Sequence, residues 1–174
     1  EVHVLQLKGT SRMVAGPARK AAVQNADDGV LVVDTMTEPL ADRMVAEIRK
    51  LAGDKPIRWI VNTHVHPDHT GGNLKVAEAG ESIIAGNFAG QAGHAASNYA
   101  QIVAHEHVLA RMSNPEGGAQ AVPTMAQPSE TFFVPEFEMY FNGEAIELVH
   151  VPNAHSDGDV MVFFRKSDVV AMRH

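Results

Sequence analysis

The sequence of 174 residues is 45% hydrophobic and 20% charged, a composition that suits one folded domain spanning residues 1–174. Its 14 Lys and Arg residues face 21 Asp and Glu residues, and the formal net charge of −7 argues against nucleic acid or an anionic membrane as a partner. The chain has no cysteine, which excludes disulfides, thiolate metal sites and a cysteine nucleophile.

The chain begins at Glu1 rather than Met, which is typical of a processed mature protein or a trimmed sequence. No apolar run approaches the roughly 20 residues that span a bilayer. We therefore expect a periplasmic or secreted protein, and a cytoplasmic location stays compatible with the sequence.

The first half of the chain alternates predicted strands with one long helix. Strands are predicted from apolar alternation or short β-branched runs at Val2–Leu7, Ala21–Val23, Val30–Val33 and Ile57–Val61. A helix is predicted over Glu38–Leu51, because Pro39 suits its start, an apolar stripe follows, and Gly53 suits its end.

The second half contains shorter elements and two predicted hairpins. We predict a helix at Asn73–Ala79, a strand at Ser82–Ala85 and a surface loop or lid at Gly86–Asn98. A further helix is predicted at Gln101–Met112, although its start is also compatible with an extended chain. A long connection is predicted at Ser113–Pro128. Asn142-Gly143 suits a type I′ turn between strands Glu138–Phe141 and Glu144–Val151. A second hairpin is predicted from Val160–Phe164 and Val169–Met172. The element order indicates a mixed α/β sandwich.

A cluster of metal-ligand side chains follows the strand Ile57–Val61, in the segment Thr63-His64-Val65-His66-Pro67-Asp68-His69. Residues two apart on an extended chain point to the same side, so His64 and His66 can both face one ion. Pro67 then turns the chain, so Asp68 and His69 lie close by but point in a different direction, which suits a second ion. Imidazoles with a carboxylate suit Zn²⁺ and tolerate Fe or Mn.

A further ligand is expected at His155, in the loop that leaves the strand Glu144–Val151. The two-histidine segment needs a third nitrogen, and this loop can project one into a cleft. Asp157 and Asp159 in the same loop are interpreted as residues that form the turn and orient the ligand. His105 and His107 are interpreted as surface or packing histidines, because a spacing of two does not place residues on one helix face.

The successive motifs resemble those of the metallo-β-lactamase superfamily. The likeness rests on Asp34 at a strand end, on the His64 to His69 segment, and on His155-Ser-Asp-Gly-Asp159. It implies an αβ/βα sandwich with two metals in a cleft at one edge of the sheets. It also implies a role for each residue: a first ion bound by His64, His66 and His155, a second bound by Asp68 and His69, and Asp34 supporting the loop through hydrogen bonds.

The sequence departs from the family pattern at its end. Members usually continue from a strand such as Val169–Met172 into a Gly-Asp pair whose Asp bridges the metals, and they supply a final His later. Arg173-His174 stands there instead. We therefore expect an incomplete fold with its C-terminal part missing, one tightly bound ion and a weak second site. Because a shortened sheet leaves apolar faces exposed, we also expect a homo-oligomer that associates through the C-terminal strands.

The resemblance implies metal-dependent hydrolysis of a small molecule, in which a zinc-bound hydroxide attacks a cyclic amide, lactone or (thio)ester. Asp68 would be the catalytic residue, orienting the nucleophile or shuttling its proton. The alternative is a non-catalytic metal-binding half-fold that assembles with another chain.

Overall fold

The computed structural model describes residues 2–17, 19–82 and 99–172, and these form two β-sheets covered on one side by helices. The strands are β1 His3–Gln6, β2 Ser11–Gly16, β3 Arg19–Ala26, β4 Gly29–Val33, β5 Ile57–Val61, β6 Gln101–His105, β7 Glu130–Phe132, β8 Glu136–Phe141, β9 Glu144–His150, β10 Val160–Phe164 and β11 Val169–Ala171. The α-helices are α1 Glu38–Ala52, α2 Pro67–Thr70, α3 Asn73–Glu78 and α4 Glu106–Ser113. Short 3₁₀ turns lie at Glu116–Gly118 and Thr124–Ala126. None of the helices in these described parts is long and apolar enough to cross a membrane.

The larger sheet contains seven strands in the order of the chain, from β1 to β7. Strands β1 to β4 pair antiparallel, whereas β4 to β7 pair parallel. Parallel neighbours end at the same edge of a sheet, so the residues that follow β4, β5 and β6 lie near one another. The predicted metal-binding segment follows β5, at this edge.

Two apolar clusters hold the layers together. On one face of the larger sheet, α1 buries Ala41, Met44, Val45 and Ile48, whose spacing forms one stripe of the helix. On the other face, Leu31 and other residues of the larger sheet pack against the smaller sheet. The main contributors from the smaller sheet are Phe141, Ile146, Leu148, Val162 and Phe164. The predicted α/β sandwich is thus confirmed.

The smaller sheet has the order β11-β10-β9-β8 and is antiparallel throughout. Both predicted hairpins are present in it. Asn142 and Gly143 have φ angles of 54° and 74°, as a type I′ turn requires. Strand β11 lies at an edge, and Val170 on it is 49% exposed. Self-association through these strands stays a prediction.

Several sequence-based boundaries differ from the structure. Of the two alternatives for the start of Gln101–Met112, the extended one is correct: its first five residues form β6 between β5 and β7, and the helix begins at Glu106. Strands β2 and β7 were not predicted. The predicted lid Gly86–Asn98 and most of the predicted strand Ser82–Ala85 lie outside the described residues, and Ser82 itself is not in a strand.

Candidate metal centre

Asp34 is a buried residue whose carboxylate contacts both ends of the predicted metal-binding segment Thr63–His69, called the metal loop below. It follows β4 directly, with a φ of 63° that is uncommon for a residue other than glycine. Its Oδ1 accepts a hydrogen bond from the Thr63 backbone N–H at 2.8 Å, and its Oδ2 accepts one from the Thr63 hydroxyl at 2.7 Å. The Nδ1 of His69 lies 2.6 Å from the same Oδ2. A single side chain thus holds both ends of the metal loop.

These contacts determine which nitrogen of His64 carries its proton. Thr63 has one hydroxyl hydrogen, which it donates to Asp34. The Nδ1 of His64, 3.1 Å from the Thr63 oxygen, can therefore only donate to it. In the neutral imidazole this leaves Nε2 with its lone pair, and Nε2 is buried with no hydrogen-bond partner among the described residues.

The surroundings of His64 keep its ring neutral. The residue is 0% exposed. Burial and, next, the neighbouring His69 lower the pKa of His64 to about 4, although the Asp34 and Asp159 carboxylates act in the opposite direction. At neutral pH the residue is therefore an uncharged imidazole, the form that binds a metal.

His66 and His155 come from distant parts of the chain and meet beside His64. The Nε2 of His155 lies 3.0 Å from the Nδ1 of His66. Two nitrogens that bind one tetrahedral zinc ion at about 2.0–2.1 Å are roughly 3.3 Å apart. The ring of His64 lies 5.0 Å from that of His66 and 5.9 Å from that of His155, between centroids. The predicted first-ion residues thus lie close together.

Asp68 and His69 lie on α2, next to His64. The ring centroids of His64 and His69 are 4.1 Å apart, and the Nε2 of His69 is 3.3 Å from Asp68 Oδ2. Arg19 of β3 also contacts this oxygen, with Nε at 3.2 Å. Burial raises the pKa of Asp68, but its own backbone amide, His69 and Arg19 outweigh that effect, so its pKa lies below the ordinary value. Asp68 is therefore ionised at neutral pH.

The donor set fits a zinc-type ion on its chemistry. A buried imidazole nitrogen without a partner is costly unless something occupies it, and a metal ion would do so. The rings of His66, His155 and His69 all lie near that of His64, and the Asp68 carboxylate contacts His69, so the donor types suit a one- or two-ion site. Which of these residues bind metal stays a prediction.

The loop that carries His155 is held by Asp159, one of the two aspartates interpreted from the sequence as turn-forming and ligand-orienting residues. Asp159 is buried, and its carboxylate accepts hydrogen bonds from the backbone N–H groups of His155 at 3.1 Å and Ser156 at 2.9 Å. Its own carbonyl accepts from Val151, which closes the loop. The side chain of Asp157, by contrast, pairs with Arg111, with Nε and Oδ1 2.8 Å apart. That Asp157 orients His155 stays a prediction.

The turn after α2 packs against the backbone that follows β4. A Cβ on Gly72 would lie 2.3 Å from the carbonyl oxygen of Thr35, and the Gly72 N–H donates to Met36. Beside it, the buried amide of Asn73 bonds to Asn62, Thr35 and the Ala126 carbonyl. The roles of Asn73 and Arg19 were not predicted from the sequence, because neither residue stands in a ligand pattern. Glycine and asparagine here fix the position of the metal loop.

A cavity of about 540 Å³ adjoins the metal loop. Most of its wall is apolar, and residues that line it include His66, Pro67, Leu74, Met112, Val122 and Ala126. Lys75 and Arg111 also reach its wall. The cavity therefore offers an apolar chamber with His66 on its wall.

Comparison with known proteins agrees with this architecture. The family model of the metallo-β-lactamase superfamily matches residues 21–87. A metallo-β-lactamase motif mutant from Cronobacter sakazakii superposes with a TM-score of 0.71 at 15% identity, covering 96% of this chain and 62% of that one. The metallo-β-lactamase MIM-1 from Novosphingobium pentaromativorans gives a TM-score of 0.69 at 21% identity, covering 97% and 59%. Residues 21–87 thus resemble the metallo-β-lactamase superfamily in sequence, and the described part of the chain resembles metallo-β-lactamases in fold.

A curated relative shows a shorter but closer match. The linear primary-alkylsulfatase of Pseudomonas sp. (strain ATCC 19151) is 44% identical over 62 residues, which is 35% of this chain and 11% of the relative. The chain thus spans about three fifths of the length of the solved structures and a small part of this relative. The family model covers part of the chain, and the solved structures show the fold alone.

Proposed function

We propose that this chain carries the metal centre of a zinc-dependent hydrolase that cleaves an ester or lactone in a small molecule with an apolar substituent. The observation that carries the proposal is the buried, unpaired Nε2 of His64, which the Asp34–Thr63 contacts leave as a bare lone pair beside two further imidazoles. His64, His66 and His155 would hold the first ion, and Asp68 and His69 a second.

The chain's own residues supply orientation and charge. When bound, Zn²⁺ lowers the pKa of water to about 7 and polarises the bond under attack. Asp34 fixes the ring of His69 and, through Thr63, that of His64. Asp68, ionised and held by Arg19, can orient a water molecule and accept its proton at a carboxylate oxygen.

The apolar cavity beside His66 supports the choice of substrate. Its volume of about 540 Å³ lies within the usual range for small-molecule sites, roughly 300–1,000 Å³. Side chains such as Leu74 and Val122 offer an alkyl or aryl group a surface away from water. An ester or lactone with a long alkyl substituent would bury that group here while its reacting bond faces the histidines.

A second candidate substrate is an alkyl sulfate. The match to the linear primary-alkylsulfatase favours it, and an alkyl chain suits the same cavity. The match covers only 11% of that relative, which argues against this candidate. The non-catalytic alternative, a metal-binding half-fold that assembles with another chain, predicts bound metal without turnover.

The first experiment measures metal and turnover together. Zinc content would be measured for the wild type and for a His66→Gln/His155→Gln variant, followed by hydrolysis of 4-nitrophenyl esters with short to long acyl chains, alkyl-substituted lactones and dodecyl sulfate. We expect the variant to lose both zinc and hydrolysis. Glu144→Gln is the matched control, because Glu144 is a buried carboxylate whose partners are Gln24, Lys166 and Ser167. Zinc without turnover of any substrate would favour the non-catalytic alternative.

The second experiment tests the cavity. Val122→Trp fills it, whereas Val134→Trp places the same bulk at an exposed position. We expect Val122→Trp to raise KM for long-chain esters at least about tenfold, with little change for acetate, since each buried CH₂ contributes about 0.8 kcal/mol. An equal rise in KM for short-chain and long-chain esters would show that the cavity does not bind the alkyl group of the substrate.

A further inference from the structure

A second group of histidines lies outside the predicted centre. His105 ends β6, His107 is in the first turn of α4, and His150 ends β9. One ligand atom from each can be chosen so that all three lie within 4.8 Å of one another. Because β6 and β9 belong to different sheets, the cluster joins the two halves of the sandwich at one end.

Nitrogens of two residues of this cluster, His107 and His150, contact the loop that carries His155. The Nδ1 of His107 and the Nε2 of His150 lie 2.9 Å and 2.7 Å from the same carbonyl oxygen, that of Asp157. The Asp157 carboxylate is also near, with Oδ2 3.8 Å from the Nδ1 of His107. A carbonyl oxygen only accepts, so both nitrogens donate to it, and an ion bound here would require the proton of each ring to move to its other nitrogen. Two ligands of one zinc ion are separated by roughly 3.3 Å, which is close to the spacing of each nitrogen from this oxygen.

The rings are packed in a way that suits neutral imidazoles. His105 is 2% exposed, and its ring stacks on that of His150 with centroids 3.6 Å apart and planes 14° apart. Burial, then the neighbouring His150 and His107, lower the pKa of His105, so this ring is uncharged at neutral pH, with its Nδ1 accepting from the His107 backbone N–H at 3.4 Å. An imidazole binds metal in its ring plane, so the stacked rings would have to tilt toward each other.

We propose that His105, His107 and His150 form an auxiliary binding site for one zinc-type transition-metal ion, with an oxygen of Asp157 as a further ligand. Three imidazoles and an oxygen suit Zn²⁺, Co²⁺, Ni²⁺ or Cu²⁺. The ion ties α4 and both sheets to the loop between β9 and β10. Gly158, in the same loop, packs against Val108 of α4, and a Cβ on Gly158 would lie 3.0 Å from a Val108 methyl group. The site therefore braces the segment that presents His155.

The proposal is tested by counting metal equivalents with Zn²⁺ alone in the full chain. A His107→Gln/His150→Gln variant should bind one equivalent fewer than the wild type, or bind its last equivalent at least about tenfold more weakly. A His66→Gln/His155→Gln variant should keep that equivalent, since it leaves the cluster intact. If the cluster variant binds as many equivalents as the wild type with the same affinities, the proposal is overturned.

A second measurement does not depend on how the variants fold. The imidazole NMR signals of the wild type are followed during a Zn²⁺ titration. The signals of His105, His107 and His150 should shift together in a step separate from those of His64, His66 and His155. Signals of the cluster that stay in place to the end of the titration would overturn the auxiliary site. That result would leave the proposed function untouched, because the two groups of signals are read independently.

Discussion

The Nδ1 of His69 lies 2.6 Å from Asp34 Oδ2, a contact between residues 35 positions apart in the chain. A carboxylate only accepts hydrogen bonds, so this contact places the proton of neutral His69 on Nδ1 and leaves the lone pair on Nε2. The same carboxylate oxygen takes the Thr63 hydrogen and thereby sets the proton position of His64. One aspartate thus prepares two imidazoles for an ion.

Asp34→Asn is expected to weaken zinc binding by about 10- to 100-fold, the usual cost of removing such a support. The amide cannot accept at both positions, so His69 or Thr63 loses its partner. Titration of zinc against a chelator would measure the change. Glu144→Gln is the control, and its zinc affinity should match that of the wild type. An Asp34→Asn protein that folds and binds zinc normally would contradict this role.

Asp159→Asn is expected to weaken binding of the first ion about tenfold or more, because it loosens the backbone N–H groups of His155 and Ser156. Asp157→Asn should change the same affinity less than about threefold, since its carboxylate pairs with the part-exposed Arg111. The measurement is zinc titration of both variants at matched pH. The reverse order of effects would restore Asp157 as the residue that orients His155.

Gly72→Ala is expected to destabilise the protein by about 1–3 kcal/mol and to reduce zinc affinity, because its Cβ would collide with the Thr35 backbone. Gly16→Ala is the matched control. There the nearest atom to a Cβ is a methyl group of Leu40 at 3.2 Å, the end of a side chain that can move. Urea unfolding of both variants compares the costs, and equal stabilities would show that the turn adapts.

Glu144 is expected to make stability pH-dependent. Burial raises the pKa of Glu144, but hydrogen bonds from Ser167, Gln24 and Lys166 outweigh this effect and hold it below the ordinary 4.5. The folded state therefore releases this proton more readily than the unfolded chain. The stabilisation is present above pH 4.5 and disappears as the pH falls through the lowered pKa.

Urea unfolding of wild type and Glu144→Gln at about pH 7 and about pH 3 tests this linkage. The difference between the two proteins should be largest near neutrality and shrink in acid. Glu136→Gln, at an exposed position on β8, should show no comparable trend. A difference that does not vary with pH would mean that the charge of Glu144 contributes nothing to stability.

The sequence was informative where local pattern and structure agree. The strand that precedes His64, the spacing of His64 and His66, and the turn at Asn142-Gly143 each depend on a few neighbouring residues, so they could be predicted. The strand β6 was only one of two alternatives for Gln101–His105, because its pairing with β5 and β7 joins residues that are distant in the chain.

The same limit applies to the sites. Asp157 and Asp159 are two positions apart in a polar loop, and only the path of the backbone decides which carboxylate holds His155. The histidines at 105 and 107 were interpreted as helical surface or packing residues. Their approach to His150 depends on how the two sheets pack, which no spacing along the chain encodes.

The change from antiparallel to parallel pairing within the larger sheet has a consequence for the order of folding. Strands β1 to β4 pair with their chain neighbours, whereas β5 joins β4 only after α1, and Trp59 of β5 pairs with Gln101. Closing longer loops costs more entropy, so we expect the local meander to form early and the parallel strands late. Asp34, His64 and His155 converge only in that late stage. We therefore expect a bound ion to stabilise the completed fold and not to direct the early steps of folding.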